Sequence, residues 1–352
     1  MLKTASSLPG TGVAYRWSQC WSSSGPSVQS PLNDPLRPPS SRDAPLQGVR
    51  NSLSRDGPHC PRGTDGYSGG EYHVTTIGAD RRGTGNWAGV GRPYSQSFAH
   101  LCAGAIVPLL DAAEAVLGRL AGCRLADVGC GTGNLTALAI GRGAEVTGVD
   151  PDVGMLALAR EMAPQADLLV GAVPALPLAP ATFDAVMANF VVNHVGDPRA
   201  AVTDLKRVCR PGGVVAVTIW PSELSAINEL WSDVVEASGA VAVAQQRLPA
   251  DKDFGRTEQG LRELLVGAGL DEVQTETLAW DFAIAAEDLW AGPAGGVGGI
   301  GKIVTSQSPS MQSAMRQEYL RLVAPMTSGG EVVFPAVALL GLGRAPQPEP
   351  RG

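Results

Sequence analysis

The chain has 352 residues, of which 44% are hydrophobic, and its formal net charge is −7. This length allows one large domain or two small ones, and the hydrophobic content is sufficient for a sizeable core. The negative charge argues against a nucleic-acid-binding protein. No continuous apolar run reaches the roughly 18 residues of a membrane span, and the first ten residues lack the apolar segment of a secretory signal.

The cysteines are not arranged in closely spaced pairs. This spacing argues against a zinc site and against a disulfide scaffold, so we expect no metal site and a reducing, cytoplasmic location. The six residues are Cys20, Cys60, Cys102, Cys123, Cys130 and Cys209.

Residues 1–92 differ from the rest of the chain in composition. They hold 10 Lys or Arg against 6 Asp or Glu, and they are rich in Ser, Pro and Gly without a helix or strand period. Such a segment buries too little apolar surface to offset ordering entropy, so we expect a disordered extension. A targeting arm, a partner-binding tail and a mis-assigned start remain alternatives, although no Met occurs between Met1 and Met155.

Residues 93–345 form the predicted folded domain. Apolar residues at steps of three and four from Phe98 to Leu120 predict helix, which Pro108 is expected to split in two. Strands are then predicted at 124–128, 145–149, 167–170, 184–189 and 213–219, with helices at 133–141, 152–163 and 197–209. Further helices are predicted at 223–238, 257–268 and 309–323, a Gly-rich loop at 292–301, and strands at 271–282 and 331–343.

Alternating strands and helices indicate an α/β fold with a parallel sheet covered by helices on both faces. Ligands of such sheets bind beyond the carboxyl ends of the strands, where the strand order reverses. Four candidate binding residues follow or end predicted strands at that edge: Asp127, Gly129, Asp150 and Asn189.

A glycine-dense turn follows the first of these strands. Gly129, Gly131 and Gly133 allow a tight turn and the close approach of a ligand. Asp127 stands just before the first glycine, where a carboxylate repels a pyrophosphate but attracts a cationic amine. Asp150 ends the next strand at the distance expected of an acid that binds ribose hydroxyls. S-adenosylmethionine (SAM) combines a ribose with an α-amino group and a sulfonium.

Together with this turn, three further motifs in the same order resemble the class I SAM-dependent methyltransferases of the small-molecule type. The motifs are residues 150–160 after the second strand, 175–178 with 182–186 before the fourth, and 208–213 before the fifth. The resemblance covers residues 94–220 and, more loosely, 221–345.

The resemblance implies a fold and an activity. The fold is a Rossmann-like, doubly wound, seven-stranded and mostly parallel sheet with an antiparallel last strand. Residues 120–220 would form the SAM-binding core, and insertions within 221–325 would cap a substrate pocket. The activity would be in-line transfer of the methyl group to an O, N or C nucleophile of a small organic acceptor.

The resemblance also assigns roles to residues around the turn. Asp127 would lie near the SAM amine, and Asp150, followed by Pro151, would accept hydrogen bonds from both ribose hydroxyls. Asn189 would contact the methionine part. Met155 would pack on the adenine, and Tyr94 and Phe98 would cover the cofactor; for these three residues, core packing is the alternative.

The chain departs from the family after the third strand. Ala172 stands where the family has an acid that receives the adenine amino group. The backbone amides of Ala172 and Val173 remain able to bind the adenine ring, and the lost interaction is worth about 1 kcal/mol.

His194 lies after the fourth strand, where the family passes the methyl group to its acceptor. It is a candidate general base, although a histidine that packs or caps a helix start is the interpretation that the sequence favours. A base is not obligatory, because the sulfonium is already activated. Four tryptophans of the C-terminal half line the acceptor pocket or pack in the core: Trp220, Trp231, Trp280 and Trp290.

Two other functions share parts of this pattern. A nicotinamide dehydrogenase also has a glycine loop and an acid, but its glycine spacing differs and no acid precedes its first glycine. A non-catalytic SAM-fold protein is compatible with Ala172 and with the absence of a defined base. The sequence predicts neither the acceptor nor the oligomeric state.

Overall fold

The computed structural model describes residues 87–223, 225–243 and 247–347. Most of the predicted N-terminal extension, residues 1–86, lies outside them. Residues 87–92 were expected to belong to that extension, but they pack on the folded domain. Val90 is buried, and the Gly89 amide donates a hydrogen bond to Asp152 Oδ2 over 3.2 Å.

In the described ranges eight strands form one sheet, and all seven strands predicted from the sequence are among them. The eighth is a two-residue strand, β7, which pairs with β8. The strands are β1 (Arg124–Val128), β2 (Glu145–Asp150), β3 (Asp167–Val170), β4 (Phe183–Asn189), β5 (Cys209–Ile219), β6 (Asp271–Ala285), β7 (Thr327–Ser328) and β8 (Glu331–Arg344).

The strand order is β3-β2-β1-β4-β5-β8-β6. Strands β1 to β5 are parallel, and β8 runs antiparallel to both β5 and β6. This is the doubly wound, Rossmann-like sheet with an antiparallel last strand that the sequence predicts. The order reverses between β1 and β4, which places a ligand crevice at the carboxyl ends of these two strands.

Eleven α-helices lie in the described part of the chain. They are α1 (Gly91–Gln96), α2 (Phe98–Ala103), α3 (Ile106–Leu117), α4 (Asn134–Gly141), α5 (Val153–Met162), α6 (Pro198–Val208), α7 (Ala226–Ser238), α8 (Glu258–Gly267), α9 (Ala286–Ala294), α10 (Gly298–Ser306) and α11 (Pro309–Val323).

Alternate residues of the central strands pack on opposite faces of the sheet. Leu125 packs with α3 and α4, whereas its neighbour Ala126 packs with α6 and α8. Several helices begin at a residue whose side chain caps the first turn. Asp152 accepts a hydrogen bond from the Met155 amide at the start of α5, and Asp197 accepts one from the Ala200 amide at the start of α6.

The first helical region breaks at Gly104 and Ala105, not at Pro108. Pro108 occupies the first turn of α3, where a missing amide hydrogen costs little. Over Phe98–Leu117 the segment has the length and mean hydropathy, 1.5, of a membrane span. Within this segment Leu109 and Leu110 of α3 are fully buried in the core.

A second apolar core lies beyond the sheet edge. Strand β8 pairs with β5 only from Leu339 to Arg344, but with β6 over its whole length. The β6–β8 hairpin therefore extends past β5, and its residue Phe334 packs among α7, α9, α10 and α11. We call these four helices the helical cap.

The Gly-rich segment 292–301 was expected to be a loop, and this expectation was wrong. The segment contains the end of α9 and the start of α10, joined at Gly295–Val297. The helices form despite their glycines because Leu289, Trp290 and Val304 are buried in the cap core, so tertiary packing outweighs low helix propensity.

The buried side chain of Leu109 provides a test of the main core. We expect Leu109→Ala to lower the free energy of unfolding by about 2–5 kcal/mol, since it removes apolar contacts and leaves a cavity. The exposed Leu320 is the control, and Leu320→Ala should cost less than about 1 kcal/mol. Urea unfolding measures both values; equal effects would contradict the packing described here.

Candidate cofactor and acceptor site

A cavity of about 1220 Å³ opens at the carboxyl ends of β1 and β4. Pockets for one small molecule usually measure about 300–1,000 Å³, so this cavity has room for two ligands side by side. One half lies against the ends of β1, β2 and β4 and is called the cofactor half. The other half lies against α7, α10 and β8 and is called the acceptor half.

The glycine turn after β1 forms one wall of the cofactor half. Gly129 and Gly131 have φ angles of 71° and 53°, in the left-handed region that favours glycine. A Cβ on Gly129 would collide with the Val191 side chain, whereas a Cβ on Gly131 would meet nothing closer than Tyr94 at 3.8 Å. Gly129 is therefore required for packing, while Gly131 leaves open space beside the cavity.

Asp150 ends β2 and faces the cofactor half. Its Oδ2 accepts a hydrogen bond from the Gly131 amide and its Oδ1 accepts one from the Asp152 amide, each at 2.9 Å. Burial raises the pKa of Asp150 from 3.8 to about 6, and the two amide hydrogen bonds oppose this rise. Each carboxylate oxygen retains a lone pair for a ligand hydroxyl.

Asp127 is 1% exposed and lies behind the glycine turn. Its Oδ2 accepts a hydrogen bond from Thr136 Oγ1 at 2.6 Å. Burial raises the pKa of Asp127 from 3.8 to about 7, and the Asp150 charge contributes to the rise. Asp127 lines a recess of about 30 Å³ that adjoins the cavity and is large enough for one water.

Neither carboxylate forms an ion pair with any described residue. Desolvated carboxylates without a cation are unfavourable, and a bound cation with hydroxyl groups would relieve that cost. The donors and acceptors of this half of the cavity therefore fit SAM, which carries an amine, a sulfonium and two ribose hydroxyls.

Aromatic residues from the N-terminal helices cover the cofactor half. Tyr94 and Phe98 line it, and Met155 lines it from α5; all three also pack in one apolar cluster with Val90 and Val297. Trp87 also lines it, with its ring edge-on to Tyr94 and to His194 at centroid distances of 5.7 and 5.2 Å. Sequence reasoning missed Trp87, since a lone tryptophan in a Gly-rich segment carries no periodic signal.

The loop after β3 forms the opposite wall. Ala172 and Val173 line the cavity, and their amides have no protein acceptor among the described residues. The loop is held by Asp204, which accepts a hydrogen bond from the Leu176 amide at 2.7 Å and is paired with Arg207. The backbone amides of Ala172 and Val173 are therefore available to donate hydrogen bonds to an adenine ring, and Ala172 itself supplies no acid.

Asn189 lines the cavity at the end of β4, but its amide already has protein partners. Its Oδ1 accepts from Thr218 Oγ1 at 2.6 Å, and its Nδ2 donates to the Cys102 carbonyl oxygen at 3.1 Å. One N–H therefore remains for a ligand. Asn189 also ties β5 to α2 across the cavity floor.

Phe190 and Trp220 form the junction between the two halves. Phe190 has a φ of 56°, a strained conformation for a side chain of this size, and its ring stacks on Trp220 at 3.8 Å. Asn193 fixes Trp220 in place, since its side chain bonds both the amide and the carbonyl of Trp220. Sequence reasoning missed this arrangement because it depends on contacts between distant segments.

His194 lies in the 3-10 turn Val192–His194 and lines the cavity. Desolvation and, to a smaller extent, the charge of the Arg256 guanidinium together lower its pKa from 6.5 to about 4. The imidazole is neutral near pH 7 and only weakly basic, which favours the packing interpretation over a general base.

Most of the predicted site residues therefore lie around one cavity. Gly133 does not line it, since Gly133 is the N-cap of α4 and packs on Ala159, and Asp127 lies in the adjoining recess. The predicted residues that do line it are Tyr94, Phe98, Gly129, Gly131, Asp150, Pro151, Met155, Ala172, Val173, Asn189 and His194.

Comparison with known proteins identifies the domain. Residues 126–217 match the family model described as a methyltransferase domain. The chain is 32% identical over 177 residues to a malonyl-[acyl-carrier protein] O-methyltransferase of Pseudescherichia vulneris, covering 50% of this chain and 66% of that protein. It is 35% identical over 101 residues to a demethylmenaquinone methyltransferase of Renibacterium salmoninarum, covering 29% and 43% respectively.

A solved structure of a putative methyltransferase from Bacillus halodurans C-125 aligns with a TM-score of 0.44 and 15% identity. The alignment covers 69% of this chain and 99% of that chain. The chain belongs to the class I SAM-dependent methyltransferases, whose cofactor is SAM. It spans about two thirds or less of the length of the curated relatives named above.

The raised pKa of Asp127 predicts how stability depends on pH. Between pH 4 and 7 the folded protein keeps a proton on Asp127 that the unfolded chain has released, so the corresponding stability is lost as pH rises towards 7. Without ligand, we expect wild type to lose about 2–3 kcal/mol relative to Asp127→Asn between pH 5 and 8. Urea unfolding at both pH values measures this difference; parallel pH profiles would contradict it.

Proposed function

We propose that the protein transfers the methyl group of SAM to an O, N or C nucleophile of a small organic acceptor. The observation that carries this proposal is the pair of buried carboxylates, Asp127 and Asp150, which lack a cation among the described residues and lie beside a cavity large enough for two ligands. SAM supplies an activated methyl group on a sulfonium when it is bound.

The cofactor half orients the donor in this proposal. Asp150 accepts hydrogen bonds from the ribose hydroxyls, while Asp127 attracts the amine directly or through a water in its recess. Met155 and Pro151 pack on the adenine, and the free N–H of Asn189 binds the methionine part. Water is excluded from the cofactor half by the aromatic side chains that cover it, Tyr94, Phe98 and Trp87.

The acceptor half brings the nucleophile to the junction formed by Phe190 and Trp220. Its other walls are mainly apolar side chains of α7, α10 and β8. Holding two reactants in line converts a bimolecular reaction into an effectively unimolecular one. The rate in this proposal comes mainly from alignment, because His194 is a weak base at neutral pH.

Membership of the methyltransferase class leaves the nicotinamide dehydrogenase hypothesis without support. A reducing cytoplasm and a catalytic domain of residues 93–345, with residues 87–92 packed against it, remain part of the proposal.

Titration of the full chain with SAM and S-adenosylhomocysteine tests the cofactor site. We expect micromolar binding that Asp150→Ala weakens at least tenfold, because the ribose loses two charge-assisted hydrogen bonds. Asp167→Ala is the matched control, since this exposed acid at the sheet edge does not line the cavity, and it should bind normally. Wild type that binds neither ligand would refute the proposal.

Turnover separates an enzyme from a non-catalytic SAM-fold protein. The full chain is incubated with SAM and a broad panel of small acceptors, and formation of S-adenosylhomocysteine is measured. Production that depends on an acceptor supports the enzyme, whereas tight SAM binding with no turnover across the panel favours a binding or regulatory role.

Ala172 provides a gain-of-function test of the adenine position. We expect Ala172→Asp to tighten SAM binding about fivefold, since one added hydrogen bond from the adenine amino group is worth about 1 kcal/mol. Ala172→Leu has no acceptor and should bind no more tightly than wild type. Calorimetry compares the three proteins, and an Asp variant that binds more weakly than wild type would place the adenine elsewhere.

A further inference from the structure

The acceptor half of the cavity combines apolar walls with an acidic mouth. We infer that the acceptor is an organic amine with an apolar body, which enters as the ammonium ion and is methylated on nitrogen. This inference rests on the proposed methyl transfer and names the substrate class of the same cavity.

The walls of the acceptor half are suited to an apolar body. Trp231 and Ile227 of α7 are at least nine-tenths buried and line it, together with Ile300 and Ile303 of α10. Trp231 is held in place by stacking on Tyr319 at a centroid distance of 5.2 Å. Tyr319 is itself fixed by a hydrogen bond of 2.6 Å to the Ala286 carbonyl, so this wall is rigid.

The charges of the acceptor half are unbalanced. Lys252 is the one Lys or Arg that lines the cavity within the described ranges, and its ammonium lies 3.2 Å from the Asp197 carboxylate. Glu223 and Glu236 also line the cavity, and neither forms an ion pair with a described residue.

Among the described residues of this half, carboxylate and phosphate groups therefore find no unpaired cation, whereas an ammonium ion meets two carboxylates at its mouth. Acidic rims of this kind attract cations during approach and repel anions.

Methylation of an amine balances in atoms, electrons and charge. The ammonium releases one proton to solvent water, and its nitrogen lone pair attacks the methyl carbon. A carbon–nitrogen bond forms as the carbon–sulfur bond breaks, and the electron pair of that bond remains on sulfur. The product is again a cation, so the acidic mouth attracts substrate and product alike.

Three probes that share an apolar phenylalkyl body and differ in their polar group test this inference. They are 4-phenylbutylamine, 4-phenylbutanol and 4-phenylbutanoate. Each is titrated into the full chain saturated with S-adenosylhomocysteine, which cannot react. We expect the amine to bind about tenfold more tightly than the carboxylate, with the alcohol in between. The double variant Glu223→Gln, Glu236→Gln should reduce the amine-to-carboxylate ratio about fivefold to tenfold.

The double variant Glu229→Gln, Asp233→Asn is the matched control, since it also removes two negative charges, both at exposed positions of α7 that do not line the cavity. Its ratio should equal that of wild type. A carboxylate that binds as tightly as the amine, a ratio unchanged in the Glu223→Gln, Glu236→Gln variant, or no binding of any probe would each overturn the inference. Failure of S-adenosylhomocysteine itself to bind would instead overturn the proposed function, so the two failures are distinguishable.

Discussion

The burial of two carboxylates at adjacent strand ends is the constraint on which the site depends. Asp127 and Asp150 are withdrawn from solvent by the sheet and by the glycine turn, and the described protein offers only neutral donors in return. The free-energy cost of desolvating these carboxylates is tolerated where a bound ligand offsets it. The same burial that opposes ionisation in the free protein strengthens the attraction for a cationic ligand, because charges interact more strongly in a medium of low dielectric constant.

Much of the sheet is predictable from the sequence because its signals are local. The strands are short apolar runs between turn residues, and the glycine turn with its two acids lies within 24 residues of sequence, 127–150. The start of β5 was missed by four residues, since Pro211 and Gly212 lie inside the strand and are typical of turns. The partners of Asp127 and Asp150 also lie nearby in sequence, so a single stretch of the chain brings these residues together beside the cavity.

The rest of the site depends on contacts between distant segments, which one sequence does not reveal. Trp87 lies over the cavity only because Val90 and Gly91 are buried against the domain. The stack of Phe190 on Trp220 depends on Asn193, whose side chain accepts a hydrogen bond from the amide of Trp220 just after β5. The helical cap presents the same difficulty, since its glycine content predicts a loop and only its buried aromatic and aliphatic side chains favour helix.

The placement of β8 has a consequence for synthesis of the chain on the ribosome. Strand β5 is almost entirely buried, and it pairs on one side with β4 and on the other with β8, where Val214 lies opposite Arg344. Until Arg344 has emerged, β5 is therefore an apolar edge strand with free backbone groups, a surface that promotes aggregation. Arg344 then joins distant parts of the domain, since its guanidinium donates to the carbonyl oxygens of Gly212 and Val116. The last strand to be synthesised in the sheet is thus the one that covers this edge, so the exposure of β5 is confined to the period before β8 pairs with it.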